Sequence, residues 1–213
     1  ALGYFPASLR AVGHEPVVID GLADGGERIE PTRVGNQDVF IKGLAYPDII
    51  ARIPHRTGLI GIAAPFTNTA PIVAELARRI KAAFPGIPLV VGGIYPSTLP
   101  EQALTEGVDF CVCGEGEIPI VKLASGEPPE RIAGLVYRSG PGITNNGQAT
   151  AIAQADDIPF PARDLLPMKQ YLEHSPRQEK GRRSLSVITS RGCPFNCQFC
   201  SIHPVCGYAW RPR

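Results

Sequence analysis

The sequence has no excess of charge of either sign. Its 21 Lys and Arg stand against 20 Asp and Glu, a formal net charge of +1, so nothing favours a polyanionic partner such as nucleic acid or an anionic membrane. No apolar run approaches the ~20 residues of a membrane span. The opening Ala1-Leu2-Gly3-Tyr4 has neither a basic region nor a cleavage signature and does not read as a signal peptide. No segment repeats at a fixed period. No G-x-G-x-x-G opens a helix after a strand, which sets aside the dinucleotide fingerprint. Six cysteines, half of them in one short stretch, make no disulfide framework and fit a reducing, cytoplasmic setting.

What the sequence does hold is a cysteine motif near its end. Ser190-Arg191-Gly192-Cys193-Pro194-Phe195-Asn196-Cys197-Gln198-Phe199-Cys200 spaces three cysteines as C-x3-C-x2-C, with an aromatic before the third. Thiolates are soft ligands that suit iron–sulfur clusters and zinc, and these intervals bring three sulfurs onto one loop. No fourth cysteine follows at matching spacing. A structural zinc site takes four ligands, so zinc would need His203 or Cys206 to complete it. A cluster on three cysteines leaves one iron open to a small molecule.

Upstream, a chain that is 44% hydrophobic can bury a sizeable core. Leu2, Phe5, Leu9 and Val12 step by three and four residues toward Gly13, a helix with its C-cap, in which Pro6 must lie in the first turn or kink it. Pro16–Asp20 reads as a short strand. The glycine-rich stretch 21–45 reads mostly as loop, with a short strand at Val39–Ile41. A short helix follows Tyr46-Pro47-Asp48 and stops at Pro54.

From Leu59 onward the rhythm is strand, helix, strand, helix, strand, helix. Leu59–Ala63, Pro88–Val91 and Phe110–Cys113 are apolar runs without alternation, the mark of a sheet covered on both faces. Between them lie helices over Thr69–Phe84, from a capping box at Thr98-Leu99-Pro100-Glu101 to Gly107, and from Glu117 to about Leu123. The pattern is that of a parallel, doubly wound sheet. Cys111 and Cys113 on its third strand read as buried small residues rather than ligands.

Ligands of such sheets sit at the carboxyl ends of the strands. Three loops fall there: Pro65-Phe66-Thr67-Asn68, Gly92-Gly93-Ile94-Tyr95 and Gly114-Glu115-Gly116. Their glycines allow close backbone approach, although a Gly-Gly after a strand is also ordinary loop punctuation. Glu115 and Glu117 read either as acid–base groups or as acids complementing a helix dipole. Downstream, Ile132–Tyr137 and Ala149–Ile152 are expected to pair as a β-hairpin across the turn-rich residues between them. Asp157–Ala162 reads as a proline-stiffened linker and Asp164–Tyr171 as an apolar anchor, with Leu165, Leu166 and Tyr171 packing. Glu179–Arg183 is a solvated charge run, and Ser184–Thr189 reads as a strand with the cysteine loop at its carboxyl end.

With Arg191-Gly192 ahead of it and Phe199 before Cys200, the cysteine motif resembles the radical S-adenosylmethionine enzymes. The resemblance implies that Cys193, Cys197 and Cys200 hold a 4Fe-4S cluster. It also implies that the open iron chelates S-adenosylmethionine and that Phe199 packs near the cluster and the adenine. Val90-Val91-Gly92-Gly93-x-x-Pro96, the helix after it, Gly114-Glu115-Gly116-Glu117 and Gly134-Leu135-Val136-Tyr137-Arg138 resemble the cobalamin-binding domain of cobalamin-dependent members of that family. This implies cobalamin over the carboxyl ends of the strands, lined by the backbone around Thr67, Gly92, Gly93, Gly114, Glu115 and Gly116. Tyr95 stands where a histidine is expected. The strand and loop that carry a cobalt-ligating histidine in cobalamin methyltransferases are not in this sequence, and His14 and His55 read as solvent-facing.

The expected architecture follows. Residues 1–125 form an α/β, doubly wound parallel sheet of Rossmann or flavodoxin-like kind that lacks its first strand. Residues 126–183 form a connector with a hairpin and linker, and 184–213 begin a truncated (β/α) radical S-adenosylmethionine barrel. A full barrel takes on the order of 250 residues, so the chain reads as a piece of a longer enzyme cut at both ends. The implied activity is methyl transfer to an unactivated carbon of a small-molecule substrate through a 5′-deoxyadenosyl radical and methylcobalamin. An electron donor such as flavodoxin or ferredoxin would serve it. Cyclisation or rearrangement with the same cofactors is the alternative. A cobalamin- or nucleotide-binding regulatory module with a zinc-stabilised tail is the alternative from another class.

Overall fold

The computed structural model describes residues 2–34, 36–174 and 185–213. The charge run at 179–183, and Ser184 at the head of the expected last strand, lie outside the described residues. Helix α1 (Tyr4–Ala11) ends at Gly13, whose φ is +90° and whose amide donates to the Arg10 carbonyl, as the sequence predicts. Pro6 falls in the first turn, where backbone amides have no intrahelical acceptor, so the helix is not broken. The buried face is not the predicted stripe. Tyr4, Ala7 and Ser8 are inside while Val12 is 53% exposed.

The strand expected over Pro16–Asp20 does not form, since no strand among the described residues pairs with it. Asp20 instead caps helix α2 (Gly21–Gly25): its carboxylate accepts the Ala23 amide at 3.0 Å and the Tyr171 hydroxyl. The stretch read as loop holds an antiparallel hairpin, β1 (Ile29–Val34) and β2 (Gln37–Lys42), registered from Ile29↔Lys42 to Val34↔Gln37. Along β1 exposed and half-buried residues alternate. Its half-buried positions include Glu30 and Thr32, so the apolar signal of a strand is faint. Helix α3 (Tyr46–Ala51) takes Pro47 in its first turn, as expected.

The centre of the molecule is a five-stranded sheet. Strands β3 (Ile60–Ala63), β4 (Leu89–Gly92) and β5 (Phe110–Val112) run parallel, with Ile60 opposite Leu89 and Val90 opposite Phe110. Helix α4 (Ala70–Ala83) crosses from β3 to β4, and α7 (Glu117–Ala124) follows β5 after α5 (Ile94–Thr98) and α6 (Pro100–Ala103). Alternation along the strands sorts the core into two layers. Leu89, Val91, Cys111 and Val136 face Val73, Ala77 and Ile80 of α4. On the other face Val90, Val112 and Leu135 meet Ile120 and Leu123 of α7, against which α1 packs. Each fully buried Leu or Val contributes roughly 1.5–3 kcal/mol, so apolar cover on both faces is what makes the continuous apolar strands stable. At the amino end, Asp109 accepts the Leu89 amide at 2.8 Å and the Lys81 ammonium at 2.6 Å, and its own amide donates to the Leu89 carbonyl at 3.0 Å.

Three local expectations are corrected. The capping box at Thr98 is not used. The expected helix opens as α6 with Pro100 in its first turn and Leu99, not Thr98, at its N-cap. Thr98 instead ends α5, which starts at Ile94 straight after Gly93, and its hydroxyl donates back to the Ile94 carbonyl at 2.8 Å. The hairpin partner is not Ala149–Ile152. Strand β6 (Leu135–Ser139) turns at Gly140-Pro141 into β7 (Gly142–Asn145), with Ser139 opposite Gly142, and β6 adds antiparallel to β5. A two-residue loop gives the turn at once, which leaves Ala149 to donate its amide to the Cys113 carbonyl at 2.8 Å. Beyond the linker and α8 (Met168–His174), the strand expected over Ser184–Thr189 does not form in its described residues 185–189. Leu185, Val187 and Ile188 are exposed and unpaired by any strand, and only β8 (Ser190–Arg191) forms. It pairs antiparallel with β9 (Arg211–Pro212), and α9 (His203–Cys206) lies between them.

Candidate cofactor site

The carboxyl ends of β3, β4 and β5 meet at one edge. After β3, Pro65, Phe66, Thr67 and Asn68 are exposed, and the Thr69 hydroxyl ties that turn to the Phe66 carbonyl at 2.7 Å. After β4, Gly93 has φ +131°, and a Cβ placed on it would lie 2.5 Å from the Ala64 carbonyl oxygen. After β5, a Cβ on Gly114 would lie 3.1 Å from that of Ala149, and one on Gly116 would lie 2.9 Å from the Phe5 ring. Backbone crowding and a positive φ thus call for glycine at Gly93, the φ of +102° favours it at Gly114, and at Gly116 an added Cβ would press on the Phe5 ring. Gly92 is different: its nearest such neighbour is the Val112 Cβ at 3.9 Å. Of the positions expected to line a corrinoid, Thr67 and Gly92 leave room for an added group, while Gly114, Glu115 and Gly116 are buried within this chain.

Beside this edge lies the cysteine loop. Helix α9 packs on α5, and α5 is itself tied to the end of β5. The Ser97 hydroxyl accepts the Gly114 amide at 3.0 Å, and the Cys113 thiol donates to the Pro96 carbonyl at 3.3 Å. The Cys193 amide donates to the Gly207 carbonyl at 3.2 Å and the Cys200 amide to the Cys197 carbonyl at 3.0 Å. All six cysteines are free, with Cys193 half-buried and Cys197 and Cys200 exposed. Phe199 is 93% exposed, and Phe195 and Trp210 are exposed too. Among the described residues no three His, Cys, Asp or Glu side chains stand in ligating geometry. Three free thiols within eight residues are nonetheless a soft donor set of the kind that iron–sulfur clusters take. His203, one candidate for completing a zinc site, places its Nε2 3.0 Å from the Cys193 carbonyl and stacks its ring on Tyr208 at 3.9 Å. Burial pushes the Cys206 thiol above its usual range. Burial likewise raises the thiols of Cys111 to about 12 and Cys113 to about 11, so both stay protonated in the core as the sequence reading expects. His55 is exposed, whereas His14 is half-buried with its Nε2 3.5 Å from the Ser125 hydroxyl.

Glu115 and Glu117 are not free acids. Arg211 Nη1 and Nη2 donate to the two Glu115 carboxylate oxygens at 3.0 and 2.7 Å, and Arg191 Nη2 donates to Glu117 at 2.6 Å. Burial opposes the Arg191 charge, but Glu117 and Glu115 outweigh it and hold its pKa above the ordinary value. The Glu115 bond likewise raises Arg211. Sequence reasoning missed both arginines. The only signal was two acids in one glycine loop and two arginines flanking one cysteine loop.

A family model described as a B12 binding domain matches residues 4–124, a span that takes in α1, the three parallel strands and α7. The chain belongs to the B12-binding domain family. The resemblance to a cobalamin-binding domain is thus borne out at the level of the domain. This B12-binding chain is 32% identical over 215 residues to an uncharacterized methyltransferase of Pyrococcus horikoshii, covering 96% of this chain and 41% of that protein. It is 28% identical over 140 residues to an anaerobic magnesium-protoporphyrin IX monomethyl ester cyclase of a Synechocystis strain, covering 63% of this chain and 27% of that one. A solved structure, the radical S-adenosylmethionine methyltransferase TsrM of Kitasatospora setae with cobalamin and a 4Fe-4S cluster bound, aligns with a TM-score of 0.48 and 21% identity, over 79% of this chain and 35% of that one. The B12-binding chain thus spans less than half the length of these relatives. No helix among its described residues is long and apolar enough to cross a membrane.

Proposed function

We propose that this chain is the corrinoid-binding part and the cluster-bearing start of a cobalamin-dependent radical S-adenosylmethionine enzyme that transfers a methyl group to carbon. One observation carries the reading. A C-x3-C-x2-C loop of free thiols, joined to α9, is seated through α5 at the carboxyl edge of a B12-binding sheet. Thr67 and the Gly92 peptide would border the corrinoid, Cys193, Cys197 and Cys200 would hold a 4Fe-4S cluster, and Phe199 would pack against it. Bound together, the two groups would supply one-electron cleavage of S-adenosylmethionine to a 5′-deoxyadenosyl radical and a transferable methyl group. The chain's own part would be placement, the packing of α9 on α5 holding the cysteine loop beside the carboxyl edge of the sheet.

The Pyrococcus horikoshii relative, named a methyltransferase, favours methyl transfer. The cyclase relative favours ring closure with the same cofactors as a second reading. A small-molecule substrate and an electron donor such as flavodoxin or ferredoxin belong to either. The test is the full-length protein, expressed with cobalamin and reconstituted without oxygen. About four irons with matching sulfide, and one corrinoid retained through gel filtration, are expected. A variant with all three motif cysteines changed to alanine should lose the iron and keep the corrinoid. Zinc in place of iron would overturn the reading in favour of a zinc-stabilised binding module.

A further inference from the structure

Four charged side chains lie inside the protein where the sheet meets the cysteine loop. Glu115, Glu117 and Arg211 are 3%, 4% and 8% exposed, and Arg191 is nearly as enclosed, its guanidinium 5.1 Å from the centre of the Tyr4 ring. Both acids belong to the turn that starts α7. Both arginines belong to the two-stranded ladder that closes the loop, where they stand directly opposite each other as register partners. Like charges facing across a ladder repel, so this ladder needs the two carboxylates between sheet and loop. Arg211 also donates to the Ile152 carbonyl at 2.6 Å and the Cys206 carbonyl at 3.0 Å, and Arg191 Nη1 lies 3.5 Å from Glu115.

Stability alone does not account for the arrangement. Buried ion pairs seldom improve on apolar residues of the same volume. Here Glu117 Oε2 and Arg211 Nε are buried without a hydrogen-bond partner. What a two-pronged guanidinium–carboxylate contact does supply is direction, because its planar fork fits in one orientation.

We propose that Glu115–Arg211 and Glu117–Arg191 are positioning pairs that fix the cysteine loop against the carboxyl edge of the sheet and so set the separation of cluster and corrinoid. This rests on the functional reading above. Arg191 lies two residues before Cys193 and Arg211 closes the loop after α9, so the pairs grip both ends of the segment that carries the thiols.

The test uses the full-length enzyme holding both cofactors, with Glu117→Gln, Arg191→Met and the double variant beside the wild type. Paramagnetic resonance of cob(II)alamin beside the reduced cluster reports their distance through dipolar broadening. A fall of at least twofold in that broadening is expected in each single variant, with iron and corrinoid contents unchanged. The double variant should be no worse than the worse single one, because the pair acts as a unit. A purely structural role would lower the melting temperature and leave the broadening alone, and that result would overturn the proposal. Hydrogen exchange at the Cys193 amide in the cofactor-free full-length protein gives a second readout, expected to quicken at least tenfold in Glu115→Gln and Glu117→Gln. Unchanged exchange in both variants overturns the proposal as well. A wild type that takes up no cluster defeats the functional reading instead, and the exchange measurement then decides the pairing by itself.

Discussion

The Cα of Gly192 is turned into the Ala209 carbonyl, so that any Cβ there would overlap the oxygen; φ at Gly192 is +78°. Both facts disfavour a side chain, and the obstacle is backbone rather than a flexible group. A left-handed residue other than glycine costs roughly 1–2 kcal/mol before any clash is counted. Gly192→Ala is therefore expected to open the ladder between β8 and β9 and expose the Cys193 amide, while the five-stranded sheet keeps its melting behaviour. Hydrogen exchange resolved by residue separates the two regions. Uniform protection throughout would contradict the expectation.

Asn146 holds the loop before β6. Its side-chain amide donates to the Pro129 carbonyl at 2.7 Å and the Ile132 carbonyl at 2.9 Å, and its backbone amide to the Leu135 carbonyl at 3.0 Å. Asn146→Ala removes both side-chain hydrogen bonds, while the Pro129 and Ile132 carbonyls keep the Ile132 and Leu135 amides as donors, so the loss is about 1–3 kcal/mol in total. The denaturant midpoint should fall with an unchanged slope. Asn146→Asp should do worse than alanine, since a carboxylate meets the same two carbonyl oxygens.

The Glu75 carboxyl is held down at about 2, chiefly by the hydrogen bond from Arg78 and further by Arg79. A depressed carboxyl stabilises the fold above its unfolded value near 4.5, and the gain disappears as pH falls toward 2. The arginines are well exposed, so screening limits the effect to about 1 kcal/mol. Glu75→Gln should cost that much at pH 7 and clearly less at pH 2, as read by urea titrations at both pH values. An equal loss at both would mean that the pair matters for packing rather than charge.

Thiol chemistry should divide the six cysteines. Only the thiolate attacks an alkylating reagent. With their thiols near 12 and 11 in the core, Cys111 and Cys113 are expected to resist iodoacetamide at pH 8 until the protein unfolds. Cys197 and Cys200 are exposed and should react first in the metal-free protein. Mass spectrometry of peptides after a timed pulse checks the order, and early labelling of Cys111 would show that the sheet breathes.

Long-wavelength order was readable in the sequence and local detail was not. Leu59–Ala63, Val90–Val91 and Phe110–Cys113 announced a doubly covered sheet because two apolar faces leave no polar positions to interrupt the run. The same criterion misled at Pro16–Asp20, which has the composition of a strand but no strand beside it. At Thr98 the proline signal was right, since a helix opens at Pro100, but the cap was not: a separate helix from Ile94 takes Thr98 as its last residue and Leu99 becomes the N-cap. The glycines of the candidate site were legible as close approaches, but not what approaches them, since Ala64, Ala149 and Phe5 are far away in sequence. Arg191 and Arg211 were beyond reach for the same reason: their partners lie 74 and 96 positions away.

Asp109 bears on a different problem. A sheet with one wet face resists slippage, because a shift of one residue would turn its apolar side chains out to water. Strand β4 has no such protection: Leu89 and Val91 on one side and Val90 on the other are equally at home in oil. The carboxylate of Asp109 grips the amide of Leu89 from the residue just before β5 while its own amide takes the Leu89 carbonyl. Moved by one position, that clasp finds a peptide facing the wrong way. One acid at the rim thus selects the alignment of two strands whose apolar faces alone would leave them free to slide.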